Sequence, residues 1–177
     1  SIAMEPIDAA AETLKEAAED SPVRCPHQPT GERMMALIDQ TRAQGDSLGG
    51  IFTVVVKGVP VGLGSHVHWD RRLDGRLVAA LMSIQAIKGV EMGEGFGLAA
   101  VPGSSAHDEI FYSPERGYYR DTNRAGGMEG GITNGEALVI RAAMKPIPTL
   151  LKPLTSVNML DHSAIEATVE RSDVCAV

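Results

Sequence analysis

Apolar residues recur every three or four positions in some stretches of this chain and run almost unbroken in others. That contrast sets out its elements. Between residues 70 and 88, Leu73, Leu77, Ala80, Leu81, Ile84 and Ile87 gather on one helical face, with Gly89 as the stop. Met34, Leu37, Ile38 and Thr41 predict a second helix over 31–44, with Thr30 placed to cap it and Gly45-Asp46 ending it. A thinner, Ala-rich helix over 5–20 stops at Asp20-Ser21-Pro22. The run Ile51-Phe52-Thr53-Val54-Val55-Val56 predicts a strand over 49–57, buried on both faces. Ala137-Leu138-Val139-Ile140 predicts another over 136–144, Val90-Glu91-Met92 begins a short one, and one more falls near 156–160.

Residues 93–131 are rich in glycine and poor in periodicity, and a loop that long is usually functional or completed by other material. The mixture predicts an α/β (mixed α+β) layered fold. One domain over 1–177 is expected, with a helical lead-in over 1–48 and a core over 49–177. The chain opens Ser1-Ile2-Ala3-Met4 and closes at Val177 directly after Arg171-Ser172-Asp173-Val174-Cys175-Ala176, without a polar tail. The expectation is a piece of a longer polypeptide.

Composition narrows the classes. With 44% hydrophobic and 22% charged residues the chain is neither disordered nor membranous, and no apolar run approaches the ~18 residues a spanning helix needs. A net charge of -7 argues against nucleic acid and anionic membrane as partners, yet leaves room for a cationic cleft that takes a small anion. Cys25 and Cys175 form no disulfide-like pattern, which points to a reducing, cytoplasmic setting.

Three local patterns carry candidate chemistry. His66-Val67-His68-Trp69-Asp70 has the spacing of a metal-hydrolase opening, but Arg71 follows where a further ligand is needed. A polar connection into a helix, with Asp70 at the helix start, accounts for it more simply, since too few ligands are fixed by the spacing. Gly95-Phe96-Gly97-Leu98-Ala99-Ala100 fits the loose dinucleotide pattern, although Pro102-Gly103 stops any helix that would meet a pyrophosphate. The third is Gly126-Gly127-Met128-Glu129-Gly130-Gly131-Ile132-Thr133-Asn134-Gly135, followed by a strand and Lys145-Pro146-Ile147-Pro148-Thr149. Paired glycines let a planar or anionic ligand approach the backbone, Thr133 and Asn134 offer orienting groups, and Lys145 offers a charge for phosphate. A hairpin with glycine turns and a solvated lysine explains the same residues.

Taken in order, the segments resemble chorismate synthase. The likeness is carried by Leu63-Gly64, Asp70-Arg71-Arg72-Leu73-Asp74, Met82-Ser83-Ile84-Gln85-Ala86-Ile87-Lys88-Gly89-Val90-Glu91 and Gly93-Glu94-Gly95-Phe96. It continues through Asn123-Arg124-Ala125-Gly126-Gly127, the glycine turn and Lys145-Pro146, to Arg171-Ser172-Asp173-Val174-Cys175-Ala176-Val177. It runs from about residue 49 to the end. The resemblance implies a β-α-β sandwich assembled as a homotetramer, and a trans-1,4-elimination of phosphate from 5-enolpyruvylshikimate 3-phosphate giving chorismate. It also implies reduced FMN as cofactor, with NADP among the associated nucleotides.

Residue by residue, the resemblance places Gln85, Ala86, Gly130, Lys145, Pro146, Ile147, Pro148, Thr149 and Arg171 at FMN. Gln85 and Ala86 are expected on the long helix, and Asp173 matches the aspartate that assists proton removal. Pro148 stands where the family often has Ser. The family's N-terminal part, with two functional histidines and several substrate-binding arginines, has no counterpart here. No acid or base role therefore passes to His27, His66, His68, His107 or His162. A metal-dependent hydrolase built on His66, His68 and Asp70, and a non-catalytic flavin-binding module, are the alternatives.

Overall fold

A computed structural model describes residues 11–170 and 173–175. In chain order the elements begin with α1 (Ala11–Glu19), α2 (Gln28–Ala43), β1 (Gly50–Val56), a 3-10 turn at Trp69–Arg71, α3 (Leu73–Met82) and β2 (Ile87–Met92). A 3-10 helix at Gly95–Ala100, α4 (Gly103–Ala106), β3 (Phe111–Ser113) and β4 (Gly117–Tyr119) follow. The chain continues through β5 (Met128–Glu129), β6 (Ile132–Thr133), β7 (Leu138–Met144), β8 (Thr155–Val157) and β9 (Ala164–Glu166). Helices and strands are thus mixed, as the sequence pattern predicts. They form two compact units, Ser1–Gly50 with Lys145–Val177, and Ile51–Met144.

In the second unit, β1, β7 and β2 form a sheet in that order, and α3 packs on β2. The central strand β7 alternates as a half-buried strand should: Leu138, Ile140 and Ala142 face the core, joined by Ile87 of β2 and by Met128. β1 departs from expectation. Its unbroken apolar run predicts burial on both faces, yet Ile51, Val54, Val55 and Val56 are exposed. The strand lies at the edge of the sheet, while the helical cover lies over β2. An apolar run reports only that cover is affordable, not that it is present.

The long helix is also shorter than its periodicity predicts. It ends at Met82, Ser83 closes it by donating its Oγ to Ala80 O at 2.7 Å, and Ile87 already belongs to β2. The break is made by Ala86, whose φ of 69° is left-handed, the conformation that ends helices and that glycine normally supplies. Gln85 and Ala86 therefore sit in the turn between α3 and β2, not on a helix. Gly89 lies inside β2 opposite Ala143, and the register step from Ile87 to Gly89 makes Lys88 a bulge.

In the first unit, α2 begins three residues earlier than expected. His27 is the N-cap and Pro29 occupies the first turn, where its missing N–H costs nothing. Thr30 is consequently inside the helix and buried, its Oγ1 2.8 Å from His27 Nδ1. The predicted strand near 156–160 is the first arm of the β8–β9 hairpin.

Candidate functional site

The glycine turn is built by backbone packing before it is anything else. Asp108, only 8% exposed, accepts hydrogen bonds from Thr122 Oγ1 at 2.6 Å, Arg124 N at 2.8 Å and Ala125 N at 2.9 Å. Burial acts to raise its pKa. The bonds from Ala125, Thr122 and Arg124, with the Arg124 charge, outweigh that and hold the carboxyl below the usual range. Asn123 continues the brace, its Oδ1 accepting from Gly127 N at 2.7 Å and its Nδ2 donating to Ala137 O at 2.8 Å.

The turn glycines then sort into two kinds. A Cβ on Gly126 would lie 2.6 Å from Gly93 Cα, on Gly127 2.5 Å from Ala137 O, and on Gly131 2.7 Å from Arg72 Cγ. These glycines are closed by the protein itself. Gly130 is different: its φ is 61°, and among the described residues nothing lies within 4 Å of where its Cβ would be. It forms the tip of the β5–β6 hairpin, the one position among these that leaves a backbone face open to a ligand.

Thr133 and Asn134, read from sequence as groups that orient a ligand, are committed elsewhere. Thr133 is 2% exposed, and its Oγ1 donates to Pro60 O at 2.6 Å and accepts from Leu63 N at 2.9 Å. Asn134 Nδ2 donates to Glu129 Oε2 at 2.9 Å, and its Oδ1 accepts from Glu136 N at 3.0 Å. Both hold the hairpin. β5 and β6 are too short to hold themselves, so side chains supply what a longer ladder would.

Gln85 is exposed and Ala86 half-buried, in the turn that enters β2. The first residue of β2, Ile87, pairs with the last of β7, Met144, so this turn lies at the end of the ladder where β7 runs out. Lys145 is next in sequence. It is exposed, and among the described residues no ion pair engages it. Pro146 and Pro148 are exposed, with Ile147 and Thr149 half-buried.

In the first unit, one short segment gathers two of the predicted regions. Ser47 Oγ donates to Ile147 O at 2.7 Å, Leu151 N donates to Gly45 O at 3.1 Å, and Leu48 N donates to Val174 O at 2.7 Å. Residues 45–48 thus bind both the 147–151 stretch and the residue after Asp173, whose side chain is exposed. Nothing in the sequence pattern singled out Ser47, although a buried hydroxyl beside a glycine pair is a reasonable place to look. Arg171 lies outside the described residues.

The two weaker motifs resolve plainly. His66, His68 and Asp70 are all exposed, and among the described residues no cluster of three or more His, Cys, Asp or Glu is placed to hold a metal ion. Over Gly95–Ala100 the dinucleotide pattern forms a 3-10 helix whose Phe96 N donates to Glu91 Oε2 at 3.1 Å. A carboxylate already sits where a pyrophosphate would have to bind.

Each unit by itself carries features that suit part of a flavin. Within residues 51–144, the open backbone face at Gly130 and the left-handed turn at Ala86 are compatible with a planar group. In the other unit, Lys145, which no ion pair engages among the described residues, stands before two prolines and is compatible with a phosphate. Among the described residues no helix is long and apolar enough to cross a membrane.

Comparison with known proteins places these features in a family. The family model for chorismate synthase matches residues 2–177. The chain is 63% identical over 166 residues to a chorismate synthase of Desulforamulus reducens, covering 94% of this chain and 43% of that protein. It is 62% identical over 160 residues to the chorismate synthase of Moorella thermoacetica, covering 90% and 42%. A solved structure described as the crystal structure of chorismate synthase superposes with a TM-score of 0.73 at 54% identity, covering 77% of this chain and 41% of that one. The chain therefore spans about two fifths of the length of the relatives it matches. Neither the hydrolase nor the free-standing flavin module finds support in these likenesses. The chain belongs to the chorismate synthase family.

Proposed function

We propose that this chain supplies the flavin-holding part of a longer chorismate synthase. That enzyme converts 5-enolpyruvylshikimate 3-phosphate to chorismate and phosphate by trans-1,4-elimination. One C–O bond breaks as phosphate leaves, one ring C–H bond breaks as a proton leaves, and the ring double bond that lies between those two carbons shifts, so that one double bond becomes a conjugated pair. Reduced FMN, when bound, supplies electron density transiently during that departure without net redox change. The observation that supports this reading best is Gly130, the turn glycine with open space on its Cβ side, at the position the family motif gives to FMN.

Each residue then has a chemical task. Lys145 neutralises phosphate charge as a compact cation, and the Thr149 hydroxyl adds a polar contact beside it. Pro146, Ile147 and Pro148 offer apolar surface to a ring edge, Gln85, Ala86 and Gly130 meet the flavin through turns, and Arg171 adds a second cation. Asp173 carries the carboxylate that assists removal of the ring proton. A homotetramer, a cytoplasmic setting and NADP as an associated nucleotide belong to the same proposal, as does the division into a lead-in over 1–48 and a flavin-motif core over 49–177. FMN titration of the full-length protein tests the site. Lys145→Ala should weaken FMN by ~10-fold or more, the weight of one charge-assisted bond. Unchanged affinity would remove Lys145 from the site.

A further inference from the structure

Arg120 follows β4 and turns inward, leaving its side chain 12% exposed. Its Nη2 donates to Glu129 Oε2 at 2.7 Å and its Nη1 to Asn134 O at 3.3 Å. Its backbone N donates to Glu136 Oε1 at 3.1 Å. The same Glu129 oxygen accepts from Asn134 Nδ2 at 2.9 Å. Glu129 immediately precedes Gly130, and Asn134 immediately follows β6. One guanidinium therefore grips both arms of the hairpin whose tip is Gly130.

This grip is not needed for attachment. The second arm is already tied down by Thr133, and Leu73 N donates to Gly131 O at 3.0 Å. Nor is it a favourable way to gain stability. Arg120 Nε is buried and has no hydrogen-bond partner among the described residues, and a partly desolvated ion pair with an orphaned donor is often no better than apolar packing. What the ion pair adds is direction. It fixes the arm that the Thr133 anchor does not touch, and with it the way the open face of Gly130 points.

We propose that Arg120 is a positioning residue for the flavin site, acting with Glu129 and Asn134 to hold the open backbone of Gly130 toward the cofactor. The inference rests on the flavin reading of Gly130 given above. Planar recognition explains the choice of residue: the guanidinium reaches Glu129 and Asn134 O from two separate nitrogens in a fixed plane, whereas an ammonium would have to reach both from a single nitrogen.

The experiment measures FMN dissociation constants, substrate KM at saturating FMN, and melting temperature for the full-length protein and four variants. Arg120→Ala should bind FMN ~10-fold more weakly, and Arg120→Lys ~3-fold more weakly, the partial rescue reflecting one retained partner. Glu129→Gln should fall near Arg120→Lys, and substrate KM should not move. Thr41→Ala, which removes a buried hydroxyl bonded to Leu37 O in α2, is the stability control and should leave FMN affinity unchanged. FMN affinity within twofold of wild type in folded Arg120→Ala overturns the proposal, as does equal weakening by Thr41→Ala. If Arg120→Ala does not fold, Arg120→Lys decides by the same criterion. A wild-type protein that binds no FMN sinks the flavin reading itself and this inference with it.

Discussion

Ala125 N donates to Asp108 Oδ2 at 2.9 Å, so a buried carboxylate 17 residues upstream sets where the glycine turn begins. With the bonds from Thr122 and Arg124, Asp108 does for this loop what a strand ladder does elsewhere. Replacing it with Ala leaves two backbone N–H groups and the Thr122 hydroxyl proton without their acceptor, which should cost about 2–4 kcal/mol by urea denaturation.

The same group predicts an acid limb. Its folded pKa is depressed, so its contribution is complete above the unfolded value of about 3.9 and is lost as pH falls through the lower folded value. The stability gap between wild type and Asp108→Asn should narrow between ~pH 5 and ~pH 2. A gap independent of pH would show that the carboxylate charge is not what the loop uses.

Gly126 and Gly130 should respond differently to the same change. Gly126→Ala forces a methyl against Gly93 and should cost about 3 kcal/mol or more. Gly130→Ala meets open space and should cost only about 1 kcal/mol for its left-handed φ. Comparable losses in the two melting curves would contradict the division into closed and open glycines.

Thr133 offers a paired test. Thr133→Val keeps the shape and orphans both Pro60 O and Leu63 N, which should cost about 2–4 kcal/mol. Thr133→Ser keeps the hydroxyl and should cost about 1 kcal/mol for the lost methyl. A Val variant as stable as the Ser variant would mean that packing, not hydrogen bonding, holds the loop over 60–63.

How much of this was legible beforehand varies by residue. β7 was readable because an alternating strand with both neighbours in place buries what its pattern says. β1 was misread because its apolar run says nothing about which neighbour arrives to cover it. The end of α3 was hidden because Ile84 and Ile87 continue the helical spacing, and Ala86 adopts a left-handed turn without the glycine that would announce it. In the glycine turn the composition was visible, but not the allocation. Asn123 binds it from 4 residues away, but Arg120 and Asp108 bind it from 9 and 17 residues away, distances that no local motif encodes.

Anaerobic turnover of the full-length protein with reduced FMN and 5-enolpyruvylshikimate 3-phosphate decides whether the proposed flavin-dependent elimination takes place. Chorismate and phosphate should appear in equal amounts, only when reduced FMN is present, and Asp173→Ala should slow the reaction by ~100-fold or more, the usual weight of a proton-transfer group. Product formed at full rate without flavin, or phosphate released without chorismate, would contradict it.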